Sequence, residues 1–223
     1  MFFRSPTAAN PTWRITPRRI QVALGAFWIL DGALQLQPYF FSNEFIGTMI
    51  QSMAGGQPAA VAGPIFFMVS RIQPFHVYWN AAFAVIQFGI GLGLINSVRT
   101  ARLALAVSFV WTLIVWWFGE GLGMLAMGMA NPMTGAPGAV LLYAAVGILV
   151  WPSDRPPNPV AAAAGYSGDM AGRAIWSLLW FGFAGLMLLP VNRGADSFAT
   201  ILTVAAIQSP GPLAALDNSL AHL

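Results

Sequence analysis

HVYWNAAFAVIQFGIGLGLI, residues 76–95, runs without a single Asp, Glu, Lys or Arg. After NSVRTAR (96–102) the chain continues as LALAVSFVWTLIVWWFGEGLGMLAM (103–127). A helix needs roughly 20 mostly apolar residues to cross a hydrocarbon core about 30 Å thick. Two such runs, joined by a short polar connection with two arginines, predict a pair of membrane-crossing helices, and the rest of the chain is read outward from them.

Toward the N-terminus, residues 20–41 form another long apolar run. The segment before it, 1–19, carries Pro6, Pro11, Pro17 and four arginines, Arg4, Arg14, Arg18 and Arg19. A secretory leader would end at a small-residue cleavage site. This run instead carries Asp31 and ends in QLQP (35–38), so it reads as a retained first span. Residues 42–71 are semi-polar and broken by glycines and prolines. Within them Phe45, Ile46, Met49, Ile50 and Met53 recur at helical spacing, as in an amphipathic helix at a membrane surface. Beyond the turn-rich NPMTGAPG (131–138) a shorter run, 139–151, gives a fourth span; 152–172 is a polar linker; 174–189 is a fifth span, followed by a semi-polar tail to residue 223.

Composition agrees with this division. The chain is 57% hydrophobic and 8% charged, against roughly 25% charged in ordinary soluble domains. So few charges do not cover a soluble surface of this size, whereas a lipid-facing surface is itself apolar. With no Cys there is no disulfide and no thiolate chemistry. All ten basic residues are Arg, and they sit at the ends of apolar runs, not together on one face as nucleic-acid binding requires. Four precede the first span, two lie between the second and third, and Arg155 and Arg173 lie between the fourth and fifth; only Arg71 and Arg193 fall elsewhere. The positive-inside rule then places the N-terminus and the 152–172 linker in the cytoplasm, and the 42–71 insert and the tail outside. The expected fold is an all-α polytopic membrane helix bundle of about five transmembrane helices with external interfacial amphipathic helices. The expected setting is the bacterial cytoplasmic membrane.

Displaced by 152 residues, Trp28, Pro38, Thr48, Ala54 and Pro58 fall on Trp180, Pro190, Thr200, Ala206 and Pro210, and Glu44 falls on Asp196. Residues 173–223 thus read as a degenerate partial repeat of 21–71, a familiar way of building membrane folds.

Three segments carry a resemblance: WILDGALQLQPYFF (28–41), WWFGEGLG (116–123) and TGAPGAVLLYA (134–144). The chain resembles a family of uncharacterised actinobacterial-type polytopic integral membrane proteins with LDGxLQLQP-like and GEGxG-like segments. It is loosely similar to DoxX-type membrane proteins in size and span count. The resemblance implies a multi-pass membrane protein and no particular activity.

Candidate site residues are the polar groups that interrupt apolar runs. Asp31 lies 12 residues beyond Arg19, about 18 Å along a helix. At that depth a carboxyl costs roughly 2.5–3.5 kcal/mol, and it shares a helix face with Trp28 and Gln35. Glu120 lies 18 residues beyond Arg102, about 27 Å along, near the outer boundary. A structural Glu120 is expected to be exposed at the interface or paired with Arg71. Gly119, Gly121 and Gly123 around it suit close helix packing. His76, Asn80 and Gln87 share one face of the second span, so Asp31, Gln35, His76, Asn80, Gln87 and Glu120 are the candidate ligand or proton pocket. His76 and His222 are the only histidines, and Met124, Met127, Met129 and Met133 lack a partnering Cys or His, so no metal site is expected. The glycines at 89, 91 and 93 lie inside a span and read as helix packing, not as a dinucleotide loop.

No catalytic constellation and no cofactor are legible. The leading expectation is a non-enzymatic accessory or assembly subunit, with the lipid bilayer and a membrane-protein partner or second copy as its partners and no nucleic acid. The alternative is a small transporter or ligand-binding protein for a quinone, lipid or cation, built on the intramembrane carboxylate pocket. A membrane oxidoreductase or lipid-modifying enzyme would need more His, Cys or acidic residues than this chain offers.

Overall fold

The computed structural model describes residues 16–152, 168–194, 196–208 and 211–221. Arg4, Arg14, Arg155 and His222, with most of the 1–19 segment and of the 152–172 linker, lie outside the described residues. The described elements are helical throughout, with no strand.

Helix α1 (Pro17–Leu34) starts where Thr16 accepts a hydrogen bond from the Arg19 backbone N–H and Pro17 takes the first helical position. It ends seven residues short of the apolar run that predicted a span to residue 41. Pro38 has no N–H and holds Gln37 extended, at ψ 145°, so the chain leaves the helix and forms a 3₁₀ turn at Pro38–Phe41. A helical segment at 43–52, with π-helical register over Phe45–Ile50, leads to α2 (Ala59–Ile72). The insert is therefore more than a surface helix. Phe45, Ile46 and Ile50 bury against Ile65, Val69 and Ile72 of α2, giving 42–72 a small core of its own. A 3₁₀ turn at Gln73–Phe75 joins α2 to α3 (His76–Asn96).

Ser97 and Thr100 form a reciprocal capping box that starts α4 (Val98–Ile114). The third apolar run does not stay α-helical to residue 127 as expected. It slackens into a π turn at Val115–Gly119, and then Gly121, Leu122, Gly123 and Met124 all take positive φ, between 53° and 61°. Left-handed backbone costs a non-glycine residue roughly 1–2 kcal/mol, so glycine at alternate positions is what lets the chain turn there. Short helix α5 (Ala139–Leu149) follows, then α6 (Gly168–Met187), α7 (Ser197–Gln208) and α8 (Gly211–Ala221).

The main core joins α1, α3, α4 and α5 through Leu24, Trp28, Leu94, Leu105, Trp111 and Val140. Helices α1 and α3 make the most extensive pairing. They cross at Gly25 and Gly91, where a Cβ on either residue would sit 2.6–2.8 Å from the other's carbonyl oxygen. Small residues permit this backbone approach. At one end of the bundle Arg18 donates to Leu94 O (2.7 Å) and to Ile95 O, and Gln21 Nε2 donates to Val150 O (2.5 Å). The start of α1 thus caps the C-termini of both α3 and α5, satisfying carbonyls those helices leave open. Consequently α1 and α4 run one way, and α3 and α5 the other. Among its described side chains, helix α6 is half-buried only along Gly172, Ile175, Leu179, Phe183 and Leu186, while α7 and α8 pack on each other.

By length and composition, two helical runs among the described residues can cross a membrane: Ala59–Asn96, which includes the 3₁₀ turn, and Val98–Gly119. At 11 residues, α5 rises only about 17 Å.

Candidate functional site

The end of the bundle opposite Arg18 holds a cavity of about 340 Å³ between α1, α3, α5 and the π turn after α4. Asp31 and Gln35 reach it from α1, Gln87 from α3, Trp111 from α4, Glu120 from the turn and Tyr143 from α5. Four of the six candidate pocket residues therefore line one space. The i, i+4 step from Asp31 to Gln35 puts both on the same wall.

The other two stand beside it. Asn80 is fully buried, and its Nδ2 donates to the Gln35 backbone oxygen (3.0 Å) while its Oδ1 accepts from Gln35 Nε2. This two-way tie pins the end of α1 to the start of α3. His76 lies one turn further out, with Nδ1 3.0 Å from Gln73 O, and does not reach the cavity.

Glu120 takes neither position expected of a structural carboxylate. Its Oε1 accepts from the Val140 backbone N–H (3.2 Å), and the Ala139 N–H also points to the carboxylate. It thereby caps the N-terminus of α5, where Gly138 offers no side-chain cap and the helix dipole favours negative charge. The Arg71 guanidinium instead lies over the Phe67 ring, 5.1 Å from its centroid. Glu120 also borders a second cavity of about 340 Å³ with Met53, Met124 and Asn131.

The three neighbouring glycines do not pack a helix face. Gly121 and Gly123 form the left-handed turn, Gly121 O accepts from Gln57 Nε2 (2.8 Å), and Gly123 lies against the Pro137 backbone. Gly119 meets only Val115, at ordinary contact distance. The Trp116 indole fastens the turn to the following loop by donating to Pro137 O (2.6 Å).

Two lining residues were not legible as site residues. The Tyr143 hydroxyl hydrogen-bonds Asp31, and its ring meets Trp28 edge-on with centroids 4.9 Å apart. Trp111 belongs to a buried polar stripe with Ser108 and Thr112 on α4, and that i, i+3, i+4 pattern inside an apolar helix is the signal that would have marked it.

Among the described residues, seven buried side-chain polar atoms have no hydrogen-bond partner in the protein, and four belong to this cavity's walls: Trp28 Nε1, Gln87 Oε1, Trp111 Nε1 and Glu120 Oε2. Such atoms are rare because each costs roughly 1–3 kcal/mol. No described cluster of His, Asp and Glu could hold a metal ion. No protein-family model, curated protein or solved structure matches the chain.

Proposed function

We propose that the chain is a multi-pass protein of the bacterial cytoplasmic membrane that binds a small molecule in the Asp31–Gln87–Glu120 cavity. The crossing segments are α1, α3, α4, α5 and α6, with the N-terminus cytoplasmic and the 42–71 insert outside. Supporting that orientation, Arg18 and Arg19 at the start of α1 and Arg99 and Arg102 at the start of α4 gather at one end, where the positive-inside rule wants them. Helix α5 is completed at its outer end by the 116–138 turns that Glu120 and Trp116 fasten over it.

The observation that carries the ligand-binding reading is that two carboxyls and two amides line one space, with four unpartnered polar atoms buried in its walls. A bundle selected only for stability would fill that space with apolar side chains, since leaving polar groups unpaired in it is costly. Intramembrane carboxyls carry the same implication. The test is native mass spectrometry on protein gently extracted from its own membrane, with and without Asp31→Asn. The reading expects a co-purifying small molecule that the variant loses. A ligand-free chain, or a bound molecule indifferent to Asp31→Asn, refutes it.

A second reading, an accessory subunit, is favoured by α6, which leaves Trp176, Leu178, Trp180 and Phe181 more than half exposed. A partner of fixed stoichiometry in the same spectra supports it.

A further inference from the structure

We infer that the cavity's ligand is a small protonated amine carrying a hydrogen-bond acceptor; this rests on the ligand-binding reading and specifies it. The acceptors come first. Gln87 is nine-tenths buried on α3, lines the cavity, and its Oε1 has no donor in the protein. Glu120 Oε2 is likewise without a donor, and Asp31 meets a neutral hydroxyl, that of Tyr143. Among the described lining residues there is no Arg, Lys or His. Three acceptor-bearing side chains, two of them carboxyls, line a space to which the described walls bring no cationic side chain. An anion entering it would meet like charge and unmet acceptors, whereas an ammonium group supplies both the missing charge and the missing N–H donors.

The aromatic walls agree with that choice. Trp28, Trp111 and Tyr143 line the space, and aromatic rings attract cations most strongly when water is excluded. The indole N–H groups of Trp28 and Trp111 make the converse demand, since both are buried donors without an acceptor. An ether or hydroxyl oxygen near the amine meets it. Size sets the remaining limit. At a water-sized share of about 30 Å³ per non-hydrogen atom, the cavity's 340 Å³ takes on the order of ten such atoms.

A matched pair of probes tests the class. 2-Phenoxyethylamine has a protonated amine, an ether oxygen, an aromatic ring and the right size; 2-phenoxyethanol differs only in replacing the ammonium by a neutral hydroxyl. Binding is measured by titration calorimetry on the full chain in lipid nanodiscs, with empty nanodiscs correcting for partition into lipid. The amine is expected to bind at least about tenfold more tightly than the alcohol, as a charged hydrogen bond implies. Asp31→Asn should bring the amine down to the alcohol's affinity. Gln87→Leu should weaken the amine severalfold, and because it removes a buried amide oxygen that has no donor it keeps the fold even if Asp31→Asn does not. Equal affinity for the two probes, no binding of either, or amine binding unchanged by both variants overturns the inference. Those results leave the cavity reading standing when native mass spectra still show a neutral or anionic molecule that Asp31→Asn releases. Where no bound molecule responds to either variant, both fall.

Discussion

Placing a methyl group at Gly91 tests whether the α1–α3 crossing holds the bundle together. A Cβ there would stand 2.6 Å from Gly25 O, 2.6 Å from Ile29 Cγ1 and 3.0 Å from Ile29 N. Ordinary contact begins at 3.4 Å, so the helices must part by about 0.8 Å at their closest point, and two of the obstructing atoms are backbone. Overpacking of this kind costs about 1–3 kcal/mol. Replacing a mid-helix glycine by alanine returns roughly 0.5–1 kcal/mol of helix propensity, leaving a net loss of about 1–2 kcal/mol. Gly89 supplies the control. It lies on the same helix, and a Cβ there meets nothing within 4 Å, so Gly89→Ala keeps the propensity gain without the collision. The two variants should differ by about 2 kcal/mol, or roughly 4–8 °C in melting midpoint for a chain of this length. Circular-dichroism melts of both proteins in one mild detergent measure the difference. Gly91 is one helical turn from Gln87, so parting the helices there also widens the cavity, and Gly91→Ala should weaken ligand binding while Gly89→Ala does not. A Gly91→Ala protein that melts with wild type, or a Gly89→Ala protein equally impaired, would refute the crossing as described.

Two further outcomes follow from the capping and orientation arguments. Glu120→Ala removes the cap of α5 and should cost about 0.5–2 kcal/mol, seen as a lower melting midpoint, whereas Glu120→Gln keeps an acceptor for the Val140 N–H and should recover most of it. Reporter enzymes fused after Asn96 and after Gly135 should report cytoplasm and exterior respectively, and the same compartment at both sites would break the topology.

Legibility in the sequence tracked how local each cause is. Helix α3 spans nearly the same residues as its apolar run because no proline or glycine pair competes within it. Asp31, Gln35, Gln87 and Glu120 stood out because a polar group in an apolar run needs a reason, and that reason holds whatever the tertiary fold. Tyr143 gave no such signal, since a tyrosine among leucines and valines is also what a membrane boundary looks like. The role of Glu120 was hidden for another reason. It caps a helix starting 19 residues later in the chain, a pairing that spacing alone cannot reveal. Gly119, Gly121 and Gly123 mark a packing face only while a helix continues through them; once φ turns positive that face no longer exists. His76 shares a face with Asn80 as the i, i+4 rule requires, but Asn80 is already committed to Gln35 and shuts the turn beyond it away from the cavity.

The 152-residue displacement gives a final prediction, about partners. Shifted by that amount, α1 (Pro17–Leu34) falls on residues 169–186 of α6, the 3₁₀ turn at Pro38–Phe41 falls on that at Pro190–Asn192, and the start of α2 at Ala59 falls on the start of α8 at Gly211. The face that α1 buries, including Leu24, Gly25, Trp28 and Gly32, falls on Trp176, Ser177, Trp180 and Ala184. Those four are exposed on α6, with the Trp176 and Trp180 rings 5.5 Å apart, while a different edge of the helix rests on the bundle. If the two segments share an origin, α6 keeps a helix-docking face like the one that α3 covers in the first copy. The chain contains no cysteine, so single-cysteine variants report contacts cleanly. Under mild oxidation or with a short bifunctional thiol reagent in native membranes, Ser177→Cys should capture a partner. Gly185→Cys, also exposed but on the helix edge away from both that stripe and the bundle, should not. A captured mass of twice the chain identifies a second copy, and any other fixed mass identifies a separate subunit. Equal capture at both positions, or none at Ser177, means that lipid alone covers this face and removes the support α6 lends to an accessory-subunit role.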